Sequence, residues 1–211
     1  MSEAARRLGV NRSRVHQRIA DGSLRAEKVG STWLVEASDL RPGRPSRPMS
    51  RRMARALAEL YDGGSPGVSG AEMARLKVKV EALRSGPEDD LPAKLSAWLA
   101  DRAERVELAV HPQDVAQLRA DHRLALSGIS DPRAGLSSSA EVEAYVGRDD
   151  LGGLADDYYL DLDHRPDAPT VILHVVESSL AEPPRLFSAA DLFDRRGARE
   201  VRAGLELLGP A

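Results

Sequence analysis

The sequence predicts an α+β protein built from a basic N-terminal helical module with a hairpin, a helical middle layer, and a mixed α/β C-terminal domain. Three observations carry this prediction. Apolar residues recur at helical spacing near the N-terminus and again through residues 50–105, whereas from residue 106 period-2 runs interleave with short helical ones. The charge divides in a related way. Residues 1–55 carry 13 Lys+Arg against 5 Asp+Glu, a net of +8, and residues 56–211 carry 17 against 28, a net of −11, within a total of −3. Between the parts lies Arg41-Pro42-Gly43-Arg44-Pro45-Ser46-Arg47-Pro48, where alternating proline and arginine make a semi-rigid spacer. The expected organisation is a basic module over 1–40, an Arg/Pro linker over 41–49, a helical segment over 50–105 and an acidic mixed α/β domain over 106–211.

The first helix is capped by Ser2, carries Ala5 and Leu8 on one face, and stops at Gly9. Asn11 can cap a second helix, over 12–20, whose inner stripe is Val15 and Ile19 and whose end is Asp21-Gly22. Two short helices around a three-residue turn have the spacing of a helix-turn-helix. The outer face of the second helix holds Arg12, Ser13, Arg14, His16, Gln17 and Arg18, with Asn11 just before it. These residue types suit a recognition helix: Arg bridges guanine O6 and N7, Gln pairs with adenine, and Ser or Asn near the helix start reach phosphates. After Leu24, alternating runs over 25–29 and 32–35 flank Gly30-Ser31 and read as a hairpin, with Arg25 and Lys28 available to the DNA backbone.

The pattern Glu3-Ala4-Ala5-Arg6-Arg7-Leu8-Gly9-Val10, Val15, Ile19-Ala20-Asp21-Gly22-Ser23-Leu24, Val29-Gly30, Trp33-Leu34-Val35 and Asp39-Leu40 resembles the excisionase/MerR-type winged helix-turn-helix. That resemblance implies a DNA-binding domain whose hairpin is a wing. In the linker, Gly43-Arg44-Pro45 resembles the core of an AT-hook, which places Arg44 in a narrow minor groove; a charged spacer near DNA is the other reading.

In the middle segment, Ser50 can cap a helix with Met53, Leu57, Leu60 and Tyr61 inside, ending at Gly63-Gly64. Ser69 with Glu72 forms a capping box before Met73, Leu76, Val80 and Leu83. A third helix, from about residue 91, carries Leu95, Trp98 and Leu99. Beyond it, 106–110 alternates as a strand, Pro112 suits the first position of a helix through Val115 and Leu118, and 124–129 is compatible with a strand. Val142, Ala144 and Val146 alternate against Glu141, Glu143 and Tyr145, which predicts one buried and one solvated face. Asp149 or Asp150 caps a helix with Leu151 and Leu154, 158–162 reads as extended, and 170–176 as a buried strand. Ser188 with Asp191 reads as the cap of a last helical region containing Leu192, Phe193, Val201, Leu205 and Leu208.

Several function classes drop out. With no cysteine there is no disulfide scaffold, Cys-zinc site or thiol nucleophile. No apolar run approaches the ~20 residues of a membrane span, and the N-terminus lacks a signal-peptide pattern. A soluble, cytoplasmic, bacterial protein is expected. No phosphate loop, nucleophile elbow or dinucleotide fingerprint occurs, so neither a catalytic residue, a metal ligand nor a cofactor is expected. His174 lies in an apolar strand and reads as a hydrogen-bonded, half-buried residue. Asp161 and Asp163, spaced Asp-x-Asp, could hold magnesium as nucleotidyltransferases do, but the Gly-Ser turn of those enzymes is missing.

Across the chain, Arg41-Pro42-Gly43-Arg44-Pro45, Leu124-Ala125-Leu126-Ser127-Gly128, Val142-Glu143-Ala144-Tyr145-Val146 and Val171-Ile172-Leu173-His174-Val175-Val176 resemble AbiEi-like antitoxins of abortive-infection toxin–antitoxin pairs. This resemblance implies a repressor of its own operon that binds double-stranded operator DNA; a winged helix of this size usually needs two copies for a half-site pair, so a homodimer or a second tethered contact is expected. Its C-terminal domain would counter a cognate nucleotidyltransferase-like toxin. The alternatives are a MerR-like regulator whose C-terminal domain senses a small ligand, and a DNA-tethered nucleotidyltransferase resting on Asp161 and Asp163.

Overall fold

The computed structural model describes residues 2–8, 12–20, 24–30, 32–35, 48–136 and 140–209. The chain is mixed α+β and divides into two compact units, residues 1–46 and 47–211.

In the first unit, α1 (Ser2–Leu8) and α2 (Arg12–Ala20) precede an antiparallel hairpin, β1 (Ala26–Val29) and β2 (Thr32–Val35). Ser2 lies inside α1 instead of ahead of it. The two helices are too short to persist alone in water and depend on packing. That packing comes from Ala4, Ala5, Leu8, Val15 and Leu24, all buried, with Ile19 and Val35 against them.

In the second unit, α3 (Arg51–Tyr61), α4 (Gly70–Arg84) and α5 (Leu91–Trp98) lead into a four-stranded sheet. Ser69 and Glu72 form the capping box at the start of α4, each side chain taking the other's backbone N–H. Ser50 precedes α3, but its side chain makes no cap hydrogen bond. The strands are β3 (Glu104–Leu108), β4 (Leu124–Leu126), β5 (Val142–Gly147) and β6 (Val171–Val176), in the order β3-β6-β5-β4. β5 and β6 are parallel, joined through α7 (Arg148–Tyr158), while both outer pairs are antiparallel. α6 (Val115–Arg119) links β3 to β4, and α8 (Arg185–Asp194) and α9 (Ala198–Leu208) follow β6.

Both faces of the central strands are covered. On one side Val142, Ala144, Val146, Leu173 and Val175 pack with Val115 and Leu118 of α6 and Leu154 of α7. On the other, Tyr145 joins Leu186, Phe187 and Leu192 of α8, and the same core takes in Leu57, Leu76 and Leu95. The segments 50–105 and 106–211 therefore share a core and form one unit. Burial at about 25 cal/mol per Å² of apolar surface favours this arrangement, because each of the three helices has an apolar stripe that needs cover.

Several local expectations change in three dimensions. β5 is buried along its whole length, so Glu143 and Tyr145 do not face solvent. The helix expected from Pro112 starts at Val115, and α7 is preceded by Gly147, with Asp149 and Asp150 inside its first turn. Residues 158–162 are not a strand: Tyr158 ends α7 and Tyr159 turns the chain with φ 54°. The extended run from residue 124 stops at Leu126, because Gly128 (φ 54°) swings the chain aside where a Cβ would lie 2.3 Å from Glu143 Oε2. Ser188 and Asp191 do not cap a helix; α8 begins at Arg185, and both residues lie within it, buried. Among the described residues, no helix is long and apolar enough to cross a membrane.

Candidate nucleic-acid interface and a buried polar cluster

α2 separates its residues by face. Val15 is fully buried and Ile19 partly so, whereas Arg12, Ser13, Arg14, His16 and Gln17 are exposed. The helix contains no acidic residue. Arg14 Nη1 donates to Gln17 Oε1 at 2.6 Å, one turn along on the exposed face. On the hairpin, Lys28 lies opposite Trp33 and is exposed, as is Arg25 just before β1. Asn11 and Arg44 lie outside the described residues, as does the side chain of Arg18. The structure thus gathers five of the expected contact residues on one helix face and two on the hairpin of the same unit.

The Asp161/Asp163 pair lies in a turn. Asp161 Oδ1 accepts from the backbone N–H groups of Asp163 at 3.0 Å and His164 at 3.1 Å. The strand that would aim both carboxylates at one ion is missing there.

The polar groups that the second unit does concentrate are buried between the sheet and α8. Alternation along β5 puts Glu143 and Tyr145 on one face, and the parallel register sets Tyr145 beside His174 of β6. The rings stack with centroids 4.9 Å apart, and Tyr145 also stacks on Phe187 at 5.5 Å. Asp191, on α8, is 1% exposed. Its Oδ1 accepts from Arg102 Nε at 3.0 Å, Arg102 Nη2 at 2.5 Å and Tyr145 Oη at 3.2 Å, and its Oδ2 accepts from Ser127 Oγ. Arg102 also donates to the Leu99 carbonyl at 3.0 Å and Asp194 Oδ2 at 2.7 Å. His174 Nε2 lies 3.2 Å from Glu143 Oε1 and 3.3 Å from Asp191 Oδ1, and Arg195 Nε donates to Glu143 Oε2 at 2.9 Å.

Burial alone would raise the Asp191 carboxyl above the usual carboxylate range; His174 and Arg102 beside it, with the Ser127 hydroxyl, pull it below. Burial pushes the Tyr145 phenol up, further raised by the Asp191 charge. Arg102 stays charged because Asp191, Tyr145 and Asp194 outweigh its desolvation. A cavity of about 250 Å³ opens onto Arg102, Glu143, His174, Asp191 and Arg195. A larger one, about 560 Å³, is lined by Tyr61, Leu83, Arg84, Arg133, Arg185 and Leu208, among others.

Of this cluster the sequence pointed only to His174, which is more deeply buried than expected, at 2% exposed. Asp191 and Ser188 were visible as a three-residue spacing that equally fits an inward helix face, and Glu143 as the polar phase of an alternating strand. Arg102 gave no signal.

No protein-family model matches the chain, and no solved structure matches it. Over 136 residues it is 30% identical to the probable plasmid-partitioning protein ParA of Thermus thermophilus. The match covers 61% of this chain and 38% of that protein, so the chain spans well under half of the relative's length. The aligned stretch is longer than the first unit and so includes residues of the second.

Proposed function

We propose that this chain is a sequence-specific DNA-binding transcriptional repressor, acting as the antitoxin of a toxin–antitoxin operon. Residues 1–40 are read as a winged helix-turn-helix that binds double-stranded operator DNA. The observation that carries the reading is the exposed, acid-free face of α2, with Arg12, Ser13, Arg14, His16 and Gln17 held outward by a buried Val15. Residues 1–46 carry nine Lys+Arg against five Asp+Glu, a net of +4 that attracts phosphate, and residues 47–211 carry 21 against 28, a net of −7 that keeps the body off the duplex. The plasmid-partitioning name of the Thermus relative also fits a protein working on DNA. Repressors of this kind read paired half-sites about 34–36 Å apart, so a homodimer is the proposed form. The second unit is read as the part that counters a nucleotidyltransferase-like toxin. This reading assigns the chain no reaction of its own.

The test is a gel shift on the promoter of the chain's own operon. Arg14→Ala and Arg18→Ala should each remove ~1–3 kcal/mol of discrimination if they lose a bidentate base contact. Arg25→Ala or Lys28→Ala should weaken all sequences alike and reduce the salt slope by about one. Unchanged affinity in the Arg14/Arg18 double variant would sink the recognition-helix assignment. Co-expression with the adjacent gene product, with and without residues 1–48, tests the antitoxin role separately. A small-ligand sensor is the second reading, favoured by the 560 Å³ cavity, which lies within the ~300–1,000 Å³ of small-molecule sites.

A further inference from the structure

We infer that Glu143, His174 and Asp191 form a binding site for a divalent first-row transition cation in the second unit. The three residues come from β5, β6 and α8, and one ligand atom from each lies within 4.8 Å of the others. All are nine-tenths or more buried: 2%, 2% and 1% exposed.

The spacing is one that a shared ion also adopts. A charged N–H···O⁻ hydrogen bond contracts to about 2.7–2.9 Å. His174 Nε2 instead sits nearly midway, 3.2 Å from Glu143 Oε1 and 3.3 Å from Asp191 Oδ1. Tetrahedral ligands at about 2.0–2.1 Å from an ion lie about 3.3–3.4 Å from one another. One imidazole and two carboxylates suit zinc, cobalt, manganese or iron better than magnesium or calcium, which prefer all-oxygen sets.

Each proposed ligand is oriented from behind, as in metal sites generally. Arg195 Nε holds Glu143 Oε2 at 2.9 Å, Ser127 holds Asp191 Oδ2, and the His174 ring lies on Tyr145. Two guanidiniums stand close by. Arg102 contacts Asp191 Oδ1 itself, and also pairs with Asp194; Arg195 also pairs with Glu141 at 2.9 Å. Four carboxylates therefore face two guanidiniums, an excess of negative charge that a divalent ion offsets. Arg105, which also lines the 250 Å³ cavity, is matched by Glu107 at 2.6 Å. The cavity leaves room for water to complete the coordination shell.

The experiment is cobalt titration of the full chain after treatment with chelator, read by visible absorption, with zinc as competitor. The expected result is one equivalent of Co²⁺ giving a ligand-field spectrum that Zn²⁺ abolishes. Thermal unfolding of the second unit should rise by roughly 5–10 °C at ion concentrations about 100 times Kd. His174→Gln and Glu143→Gln should each weaken binding by at least ~10–100-fold, the effect of losing a mere outer-shell partner. Joint replacement of the exposed His111, His122 and His164 by Gln should leave binding intact. No stoichiometric spectrum in the wild type overturns the inference even if the buried variants fail to fold. So does binding that survives His174→Gln, or that disappears in the triple surface variant.

Discussion

Replacing Arg102 by Met should destabilise the second unit far more than loss of any surface ion pair. Met keeps the aliphatic volume but removes every donor. The wild-type guanidinium is 5% exposed and reaches Asp191 twice, Asp194, the Tyr145 hydroxyl and the Leu99 carbonyl. Without it, Asp191 remains a fully buried carboxylate served by Ser127, Tyr145 and His174. Breaking a buried pair from one side costs about 3–5 kcal/mol, whereas an exposed pair such as Arg202–Glu206 is worth about 0–1 kcal/mol. Asp191→Ala should cost less, because Arg102 keeps Asp194 at 2.7 Å. The double variant should fall short of the sum by about 0.5–3 kcal/mol, the range for residues in one network. The assay is urea unfolding with chelator present in a Trp33→Phe chain, where Trp98 is the remaining tryptophan and reports the second unit. At a slope of about 2 kcal/mol per M, Arg102→Met should lower the midpoint by about 1.5–2.5 M. A shift below about 0.5 M, or strict additivity in the double variant, would refute the view of Arg102 and Asp191 as one desolvated unit.

Two further outcomes follow from the same geometry. Leu8→Ala should cost about 2–5 kcal/mol, because Leu8 is 3% exposed in a core of few side chains. A unit of this size has little stability in reserve, so residues 1–46 should unfold at 37 °C and operator binding vanish, while Trp98 unfolding stays unchanged; retained gel-shift activity would count against the packing described. Asp131 and Asp121 should contribute to acid sensitivity alongside Asp191. Burial would raise the Asp131 carboxyl, but Arg133 and Ser188 bring it below its ordinary value of 3.8; Arg123 lowers Asp121 well beneath the same value. Lowered folded-state values mean stability that is present above pH 3.8 and lost as pH falls through the folded values. Thermal melts should therefore decline steeply below about pH 4, less so in Asp131→Asn; equal slopes in the two proteins would remove Asp131 from the account.

The chain's own chemistry determined most of the elements, because their signals are short-range. The Ser69–Glu72 box, the Gly30 turn and the 3.6-residue stripe of α2 all act within a few residues, and each element sits where these signals placed it. The exposed basic face of α2 was legible for the same reason: burying Val15 and Ile19 leaves Arg12, Ser13, Arg14, His16 and Gln17 no other side. Tertiary structure decided the polar interior. Arg102 meets Tyr145 across 43 residues of chain and Asp191 across 89, and no local pattern encodes such pairings. α8 covers a strand face that alternation marked as wet, which turns Glu143 and Asp191 from apparent surface and cap residues into buried charges. Whether a carboxylate is solvated or desolvated depends on what packs over it, and here that is a helix some 40 residues further along the chain.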